Sequence, residues 1–166
     1  MRELRYVDPN ARRGVVYRAY AWLVGTRLLG WISRRAGWKL DPILMRLSGG
    51  RLGFGLILPT ALLETRGART GRARRNAVIY FHDGERVTIV ASKLGMPHHP
   101  GWFHNLRANP DVRFGGRPFR AEVVDDPAER TRLWQLADRI FPSYAAYRDR
   151  AARAGRTIRI VQLVPR

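Results

Sequence analysis

The chain has 166 residues, 45% of them hydrophobic, so it is long enough for one well-buried core and too short for two ordinary domains. It contains no cysteine, which excludes disulfides, thiolate metal sites and thiol catalysis. Lys and Arg number 31 against 13 Asp and Glu, and the formal net charge is +18. Such a surface attracts nucleic acid, anionic lipid or a phosphorylated small molecule, although the arginine bias also fits a generally basic surface.

We expect residues 1–50 to form an N-terminal helical segment and residues 51–166 to form the main domain. The apolar stretch from Val15 to Ser33 contains Arg18 and Arg27. Each arginine costs roughly 2.5–3.5 kcal/mol near a bilayer centre, which disfavours a spanning helix. No small-residue cleavage site follows, so a signal peptide is also disfavoured. We expect a cytoplasmic protein, and either a helix packed on the domain or an interfacial helix on the inner face of the membrane.

The middle of the chain carries a series of short strand signals. Two joins between them are hairpin turns, at Asp83-Gly84 and at Gly115-Gly116, because these pairs tolerate positive φ. We expect His82, in the first of these turns, to be solvated. The predicted strands are Ala61 to Thr65, Asn76 to Phe81, Arg86 to Ala91, Val112 to Phe114, Pro118 to Val124 and, at the end of the chain, Ile158 to Val164.

Helical signals precede the last strand. Asp126 is the predicted N-cap, Pro127 the first helical residue and Glu129 the capping-box residue. Tyr144 and Tyr147, three residues apart, share a face of a following helix. The buried stripe of the first helix comprises Leu133, Leu136, Ala137 and Ile140. The fold class is therefore mainly β, a small antiparallel barrel with an N-terminal helix and a C-terminal helical insertion before the last strand.

Two segments carry groups suited to binding. Thr65 to Arg75 interleaves arginines with glycines, so backbone amides and guanidinium groups can cradle an anion. Its spacing matches neither a P-loop nor a dinucleotide fingerprint, and a solvated basic turn is the alternative. Ala91 to Pro110 places Ser, Lys, His, Trp and Asn at a strand end, where binding residues concentrate.

Two other chemistries are disfavoured in the second segment. His98, His99 and His104 have no further ligand at a recognised spacing, so we expect no metal site. Ser92 and Lys93 are a poor nucleophile pair because adjacent strand residues point to opposite faces.

In this order and spacing the two segments resemble the deazaflavin-dependent nitroreductase family, split-barrel oxidoreductases that use coenzyme F-420. The resemblance covers most of the chain after about Leu40, and one departure is Ala68, where the family usually has arginine. The first matching set is Thr65, Gly67, Arg69, Thr70, Gly71 and Arg74. The second is Val90, Ala91, Ser92, Lys93, Gly95, Pro100, Trp102, Asn105, Leu106, Ala108, Asn109 and Pro110.

The resemblance implies hydride transfer from reduced F-420, with FMN as the alternative cofactor, to a quinone, nitro or enone acceptor. It implies that Tyr144 is catalytic, its hydroxyl bonding the acceptor oxygen, and that Phe141 and Tyr147 form an apolar wall. Ordinary half-buried helix residues are the alternative for both tyrosines. The implied cofactor-binding residues are Arg69, Thr70, Gly71, Arg74, Ala91, Ser92, Lys93, Pro100, Trp102 and Asn105.

Other classes of protein remain open from the sequence. A non-enzymatic basic barrel would grip nucleic acid through Arg66 to Arg75, but no recognised nucleic-acid motif supports it, and we expect no specific nucleic-acid partner. A barrel that carries the cofactor without turnover is the second alternative. We expect a monomer or a homodimer.

Overall fold

The computed structural model describes residues 4–24 and 58–166. Elements are numbered in chain order among these residues. The helices are α1 (Val15–Val24), α2 (Gly101–Ala108), α3 (Pro127–Ile140) and α4 (Tyr144–Arg153), with a short 3-10 turn at Lys93–Gly95. The strands are β1 (Thr60–Arg66), β2 (Ala73–Asp83), β3 (Arg86–Val90), β4 (Asp111–Phe114), β5 (Arg117–Val123) and β6 (Ile160–Pro165).

The strands form a closed antiparallel barrel in the order β1-β2-β3-β6-β5-β4, and β4 pairs back onto β1. Leu63 of β1 lies opposite Phe114 of β4, and both side chains are fully buried. Along β1 the buried residues alternate with half-buried ones, which is the period of two expected when one face lines a core. The predicted fold class is confirmed.

Local turn and cap chemistry accounts for several element boundaries. Gly84, Gly115 and Gly116 have φ values of 60°, 56° and 83°, as the hairpin signals predict. Asp126 caps α3 by accepting a hydrogen bond of 2.7 Å from the Glu129 backbone N–H.

Strand β2 is longer than predicted at both ends. Its exposed first residues, Ala73 to Arg75, continue the ladder opposite Glu64 to Arg66. The Arg75 Nε–H donates to the Glu64 carboxylate at 2.9 Å. Backbone pairing therefore extends beyond the apolar part of the strand, which is the part that the hydrophobic pattern detects.

The N-terminal residues pack on the barrel and on α3. The Tyr80 hydroxyl donates to the Arg5 carbonyl and the Tyr17 hydroxyl to the Ile140 carbonyl, each at 2.8 Å. The expected helix from Val15 to Ser33 is described as α1 up to Val24, and its remainder lies outside the described residues. The boundary near residue 50 also lies outside them. In the described part of the chain, no helix is long and apolar enough to cross a membrane.

One sequence expectation is wrong. His82 was expected to be solvated in the hairpin turn, but it lies on β2 and is buried. The ring Nδ1 of His82 accepts a hydrogen bond of 3.1 Å from the Val7 backbone N–H, and the backbone N–H of His82 donates to the Val7 carbonyl at 2.9 Å. The ring packs between Tyr6 and Tyr80, so a segment distant in sequence removes it from water.

Candidate active site

The turn between β1 and β2 folds tightly around its glycines. The Gly71 N–H donates to the Gly67 carbonyl at 2.8 Å, and Gly71 has a φ of +64°. A Cβ on Gly67 would lie 3.0 Å from the Thr70 Oγ1 and 3.2 Å from the Arg72 carbonyl oxygen. Glycine at these two positions therefore fits both the conformation and the close approach of the chain.

The arginines of this turn face solvent. Among the described residues, Arg75 forms an ion pair with Glu64, whereas Arg69 and Arg74 form none with a carboxylate. Both are exposed. Their guanidinium groups are thus open to solvent, which is what binding of an anion would require.

Asn105 of α2 connects the two predicted segments. Its Oδ1 accepts from the Ala68 backbone N–H at 3.0 Å, and its Nδ2 donates to the Thr65 Oγ1 at 3.1 Å. Because a backbone N–H can only donate, this network fixes the orientation of the amide. Ala68, where the family usually has arginine, thus contributes its backbone to the site. The turn is held against α2 by a side chain that sequence analysis assigned to the cofactor pocket.

The chain after β3 turns in a strained conformation. Lys93, Leu94 and Gly95 have φ values of 45°, 56° and 72°, so three consecutive residues are left-handed. Left-handed backbone costs about 1–2 kcal/mol at each non-glycine residue, and such strain clusters at functional sites. The Gly95 N–H closes the turn on the Ser92 carbonyl at 3.0 Å, and the exposed Lys93 Nζ donates to the His99 carbonyl at 3.4 Å.

Helix α4 packs directly on this left-handed turn. A Cβ on Gly95 would lie 2.6 Å from the Tyr147 carbonyl oxygen and 3.0 Å from the Arg150 Cβ. The Arg150 guanidinium also donates to the Leu94 carbonyl at 2.8 Å. The helix that carries both predicted acceptor-site tyrosines therefore lies against the segment predicted to bind the cofactor.

The other predicted residues of the second segment are mostly buried. Ala91 directly follows β3, and its N–H donates to the Arg159 carbonyl at 2.9 Å. Pro100 caps α2, and Trp102 packs against Phe103 with its ring centroid 6.4 Å away. Both Pro100 and Trp102 are buried.

Tyr144 lies in an aromatic cluster with Phe141, Tyr147 and Trp134. The ring centroids of these residues lie 5.1, 6.3 and 6.0 Å from that of Tyr144. Only 3% of Tyr144 is exposed, and burial raises the pKa of its hydroxyl. The hydroxyl therefore stays protonated across the physiological range and can serve as a hydrogen-bond donor.

The histidines of the second segment lie near the residues predicted to bind an anion. The His99 ring packs on Phe103 at 4.8 Å, and burial, together with the positive charge of Arg156, lowers the pKa of His99. Within residues 4–24 and 58–166, no group of three or more His, Asp or Glu side chains is arranged to hold a metal ion.

Arg156, which lies buried beneath the second segment, was not predicted from the sequence. Its guanidinium donates to the backbone carbonyls of Ser92 and His98. The one local signal is Gly155 with a φ of +68°, a glycine that ends α4 and directs the next residue inward.

A separate cleft of about 680 Å³ lies at the β2–β3 hairpin. Three of its charged side chains have polar partners: Asp83 and Glu129 pair with Arg132, and Gln162 accepts from Arg86 and donates to Asp83. None of the predicted site residues lines this cleft. The predicted site residues lie instead in the two glycine-containing segments and around the start of α4.

The residues at this site fit an anionic, ring-bearing cofactor. They offer exposed guanidinium and ammonium groups, a glycine-lined turn, an adjacent aromatic cluster and a buried arginine that pairs with no carboxylate in the described part of the chain. A closed six-stranded barrel with this site defines an oxidoreductase of the split-barrel class, in which the cofactor carries the redox chemistry.

Comparison with known proteins identifies the family to which the chain belongs within this class. The family model described as F420H(2)-dependent quinone reductase matches residues 40–165. The F420H(2)-dependent quinone reductase Rv1261c of Mycobacterium tuberculosis is 37% identical over 134 residues, which cover 74% of this chain and 90% of that protein. The chain belongs to the F420H(2)-dependent quinone reductase family. It is an F-420-dependent oxidoreductase with coenzyme F-420 as its cofactor.

Two solved structures are similar in fold to this chain. One is an F420-H2-dependent reductase, FDR-A, with 31% identity and a TM-score of 0.54 over 63% of this chain and 93% of that one. The other is described as a domain-swapped dimer, with 28% identity and a TM-score of 0.56 over 80% of this chain and 96% of that one.

Proposed function

We propose that the chain reduces a quinone with hydride from F-420. The observation that carries this proposal is the packing of α4 on the left-handed turn, where a Cβ on Gly95 would lie 2.6 Å from the Tyr147 carbonyl. That contact puts an aromatic cluster suited to a flat, apolar acceptor beside the groups suited to an anionic cofactor.

The proposed cofactor-binding residues differ in the part of the cofactor that their side chains suit. The phosphodiester and glutamyl tail of F-420 are anionic, so Arg69, Arg74 and Lys93 are its natural partners. Thr70, Gly71 and Ser92 add hydroxyl and backbone donors, while Ala91, Pro100, Trp102 and Asn105 shape and support the pocket. When bound, the reduced deazaflavin supplies a hydride, and the protein aligns the acceptor.

Tyr144 is the proposed donor to the acceptor oxygen, with Phe141 and Tyr147 as its apolar wall. Reducing a quinone to a hydroquinone takes up one hydride and one proton, and negative charge develops on oxygen as the hydride arrives. A fixed hydroxyl stabilises that charge. Because burial raises the pKa of Tyr144, the hydroxyl donates a hydrogen bond and the proton itself comes from solvent.

The test follows the absorbance of reduced F-420 as it is reoxidised by menadione. Tyr144→Phe should lower turnover about tenfold or more, with the Kd for F-420 within about twofold, since one charge-stabilising donor is lost. Tyr6→Phe changes an exposed tyrosine of the N-terminal segment and is the control. Equal turnover in Tyr144→Phe and the unmodified chain would exclude this role, and absence of menadione reduction by the unmodified chain would contradict the quinone proposal. Nitro and enone acceptors, assayed in the same way, define the acceptor range.

Two partner assignments are also proposed. A similar structure is described as a domain-swapped dimer, which supports a homodimer over a monomer. Exposed Val15 and Val16 at the start of α1, next to exposed Arg12 and Arg18, support peripheral contact with the inner face of the membrane in a cytoplasmic protein. Light scattering, which measures the mass of the particle in solution, tests the homodimer. Sedimentation with anionic vesicles tests the membrane contact, because the double variant Val15→Asp/Val16→Asp should no longer sediment with them.

A further inference from the structure

Arg156 occupies its position because of how α4 ends. The Gly155 N–H donates to the Ala152 carbonyl and the Arg156 N–H to the Ala151 carbonyl, each at 2.9 Å. With Gly155 at a φ of +68°, this is a Schellman motif. The motif turns the chain back toward the barrel, so Arg156 is only 7% exposed.

The guanidinium of Arg156 joins the two ends of one loop. One nitrogen donates to the Ser92 carbonyl and the other to the His98 carbonyl. Between these two residues lies the left-handed turn from Lys93 to Gly95. The planar fork of arginine suits two fixed acceptors, so the side chain constrains the loop that presents Ser92 and Lys93.

The positive charge of Arg156 has no counter-ion among residues 4–24 and 58–166. No Asp or Glu side chain there pairs with it, and its buried Nε has no hydrogen-bond partner. Burial lowers the pKa of Arg156, and its charge helps to lower the pKa of His99. A buried charge of this kind is expensive unless something neutralises it.

We propose that Arg156 is a positioning residue for the cofactor. It holds the Ser92–His98 loop in the shape that binds the anionic part of F-420, and the bound anion neutralises its charge. The proposal rests on the assignment of Ser92 and Lys93 to that anionic part. It predicts that loss of Arg156 weakens binding of the tail and leaves binding of the ring system unchanged.

The experiment compares two ligands by direct titration: intact F-420 and the deazaflavin riboside that lacks the phosphodiester and glutamyl tail. Arg156→Met should raise the Kd for F-420 about tenfold or more and change the Kd for the riboside less than about twofold. Arg156→Lys keeps the charge but cannot bridge both carbonyls, so an intermediate rise is expected. Arg153→Met, which removes an exposed charge from the last turn of α4, should leave both values unchanged.

Each outcome decides the proposal. The proposal would be overturned if Arg156→Met bound both ligands more weakly by the same factor, or if the folded variant bound F-420 with unchanged affinity. If the methionine variant does not fold, the same ratio measured on Arg156→Lys decides. Binding is scored without turnover, so failure of the menadione assay with normal F-420 affinity contradicts the quinone proposal and leaves this one standing.

Discussion

Asn105 is the residue on which both glycine-containing segments depend. Its amide accepts from Ala68 and donates to Thr65, whose side chain is buried. Asn105→Ala removes both hydrogen bonds and leaves a buried hydroxyl with fewer partners. We expect a loss of about 1–3 kcal/mol in the free energy of unfolding, measured by urea denaturation, together with weaker F-420 binding.

Asn105→Asp separates stability from binding. The carboxylate still accepts from the Ala68 N–H, and the Thr65 hydroxyl can reverse to donate, so the free energy of unfolding should stay closer to that of the unmodified chain than in Asn105→Ala. The added negative charge should weaken the binding of an anionic cofactor. His104→Asp adds the same charge at the adjacent exposed position of α2 and should weaken binding less. Unchanged F-420 affinity in Asn105→Asp would contradict a site for the anion at this place.

At the scale of elements, the packing of α4 on the left-handed turn after β3 depends on Gly95. A side chain there meets two obstacles, a φ of +72° and a backbone oxygen 2.6 Å from the Cβ. Gly84, in the β2–β3 hairpin, has a φ of +60° and nothing within 4 Å of its Cβ. Comparing the same substitution at Gly84 and at Gly95 therefore separates the effect of the α4 contact from the effect of backbone conformation.

Replacing each glycine with alanine tests that contact. Gly84→Ala should lose about 1 kcal/mol through conformation alone, whereas Gly95→Ala should lose at least about 2–3 kcal/mol because α4 must also move. F-420 affinity should fall in Gly95→Ala and stay unchanged in Gly84→Ala. Thermal unfolding and cofactor titration measure both quantities, and equal losses would show that α4 does not press on the turn.

The elements also show what the sequence can predict. The hairpin glycines and the Asp126 cap were predictable because their chemistry is local, and the barrel followed from alternating apolar residues and the resemblance. The inward position of Arg156 could not be predicted, because the carbonyl groups that accept its hydrogen bonds are 58 and 64 residues away in the sequence. The left-handed Lys93 and Leu94 carry no sequence signal, since only contacts from distant elements can hold non-glycine residues there. The same reason explains why His82 was wrongly expected to be solvated.

For the whole molecule, His82 couples the N-terminal segment to the barrel. Val7 pairs with it through two hydrogen bonds, and the Tyr6 ring lies 4.6 Å from its ring. Burial lowers the pKa of His82 below its ordinary value of 6.5. The neutral ring is the form that can accept the Val7 N–H, so protonation opposes attachment of this segment.

The sign of the resulting pH dependence is fixed by linkage. Between the folded pKa of His82 and about 6.5, the unfolded chain binds more protons than the folded chain, so the free energy of unfolding rises with pH. The stabilisation is fully present above the unfolded pKa and is lost as pH falls through the folded one. His99, whose pKa is also lowered, contributes in the same direction.

His82→Gln retains an acceptor but does not titrate, so its unfolding free energy should change less between pH 7 and pH 5 than that of the unmodified chain. Urea denaturation at several pH values measures both proteins. If the stability of His82→Gln depended on pH as strongly as that of the unmodified chain, the contact with Val7 would not link protonation to stability. Attachment of the N-terminal segment would then have to depend on contacts such as that of Tyr17 with Ile140.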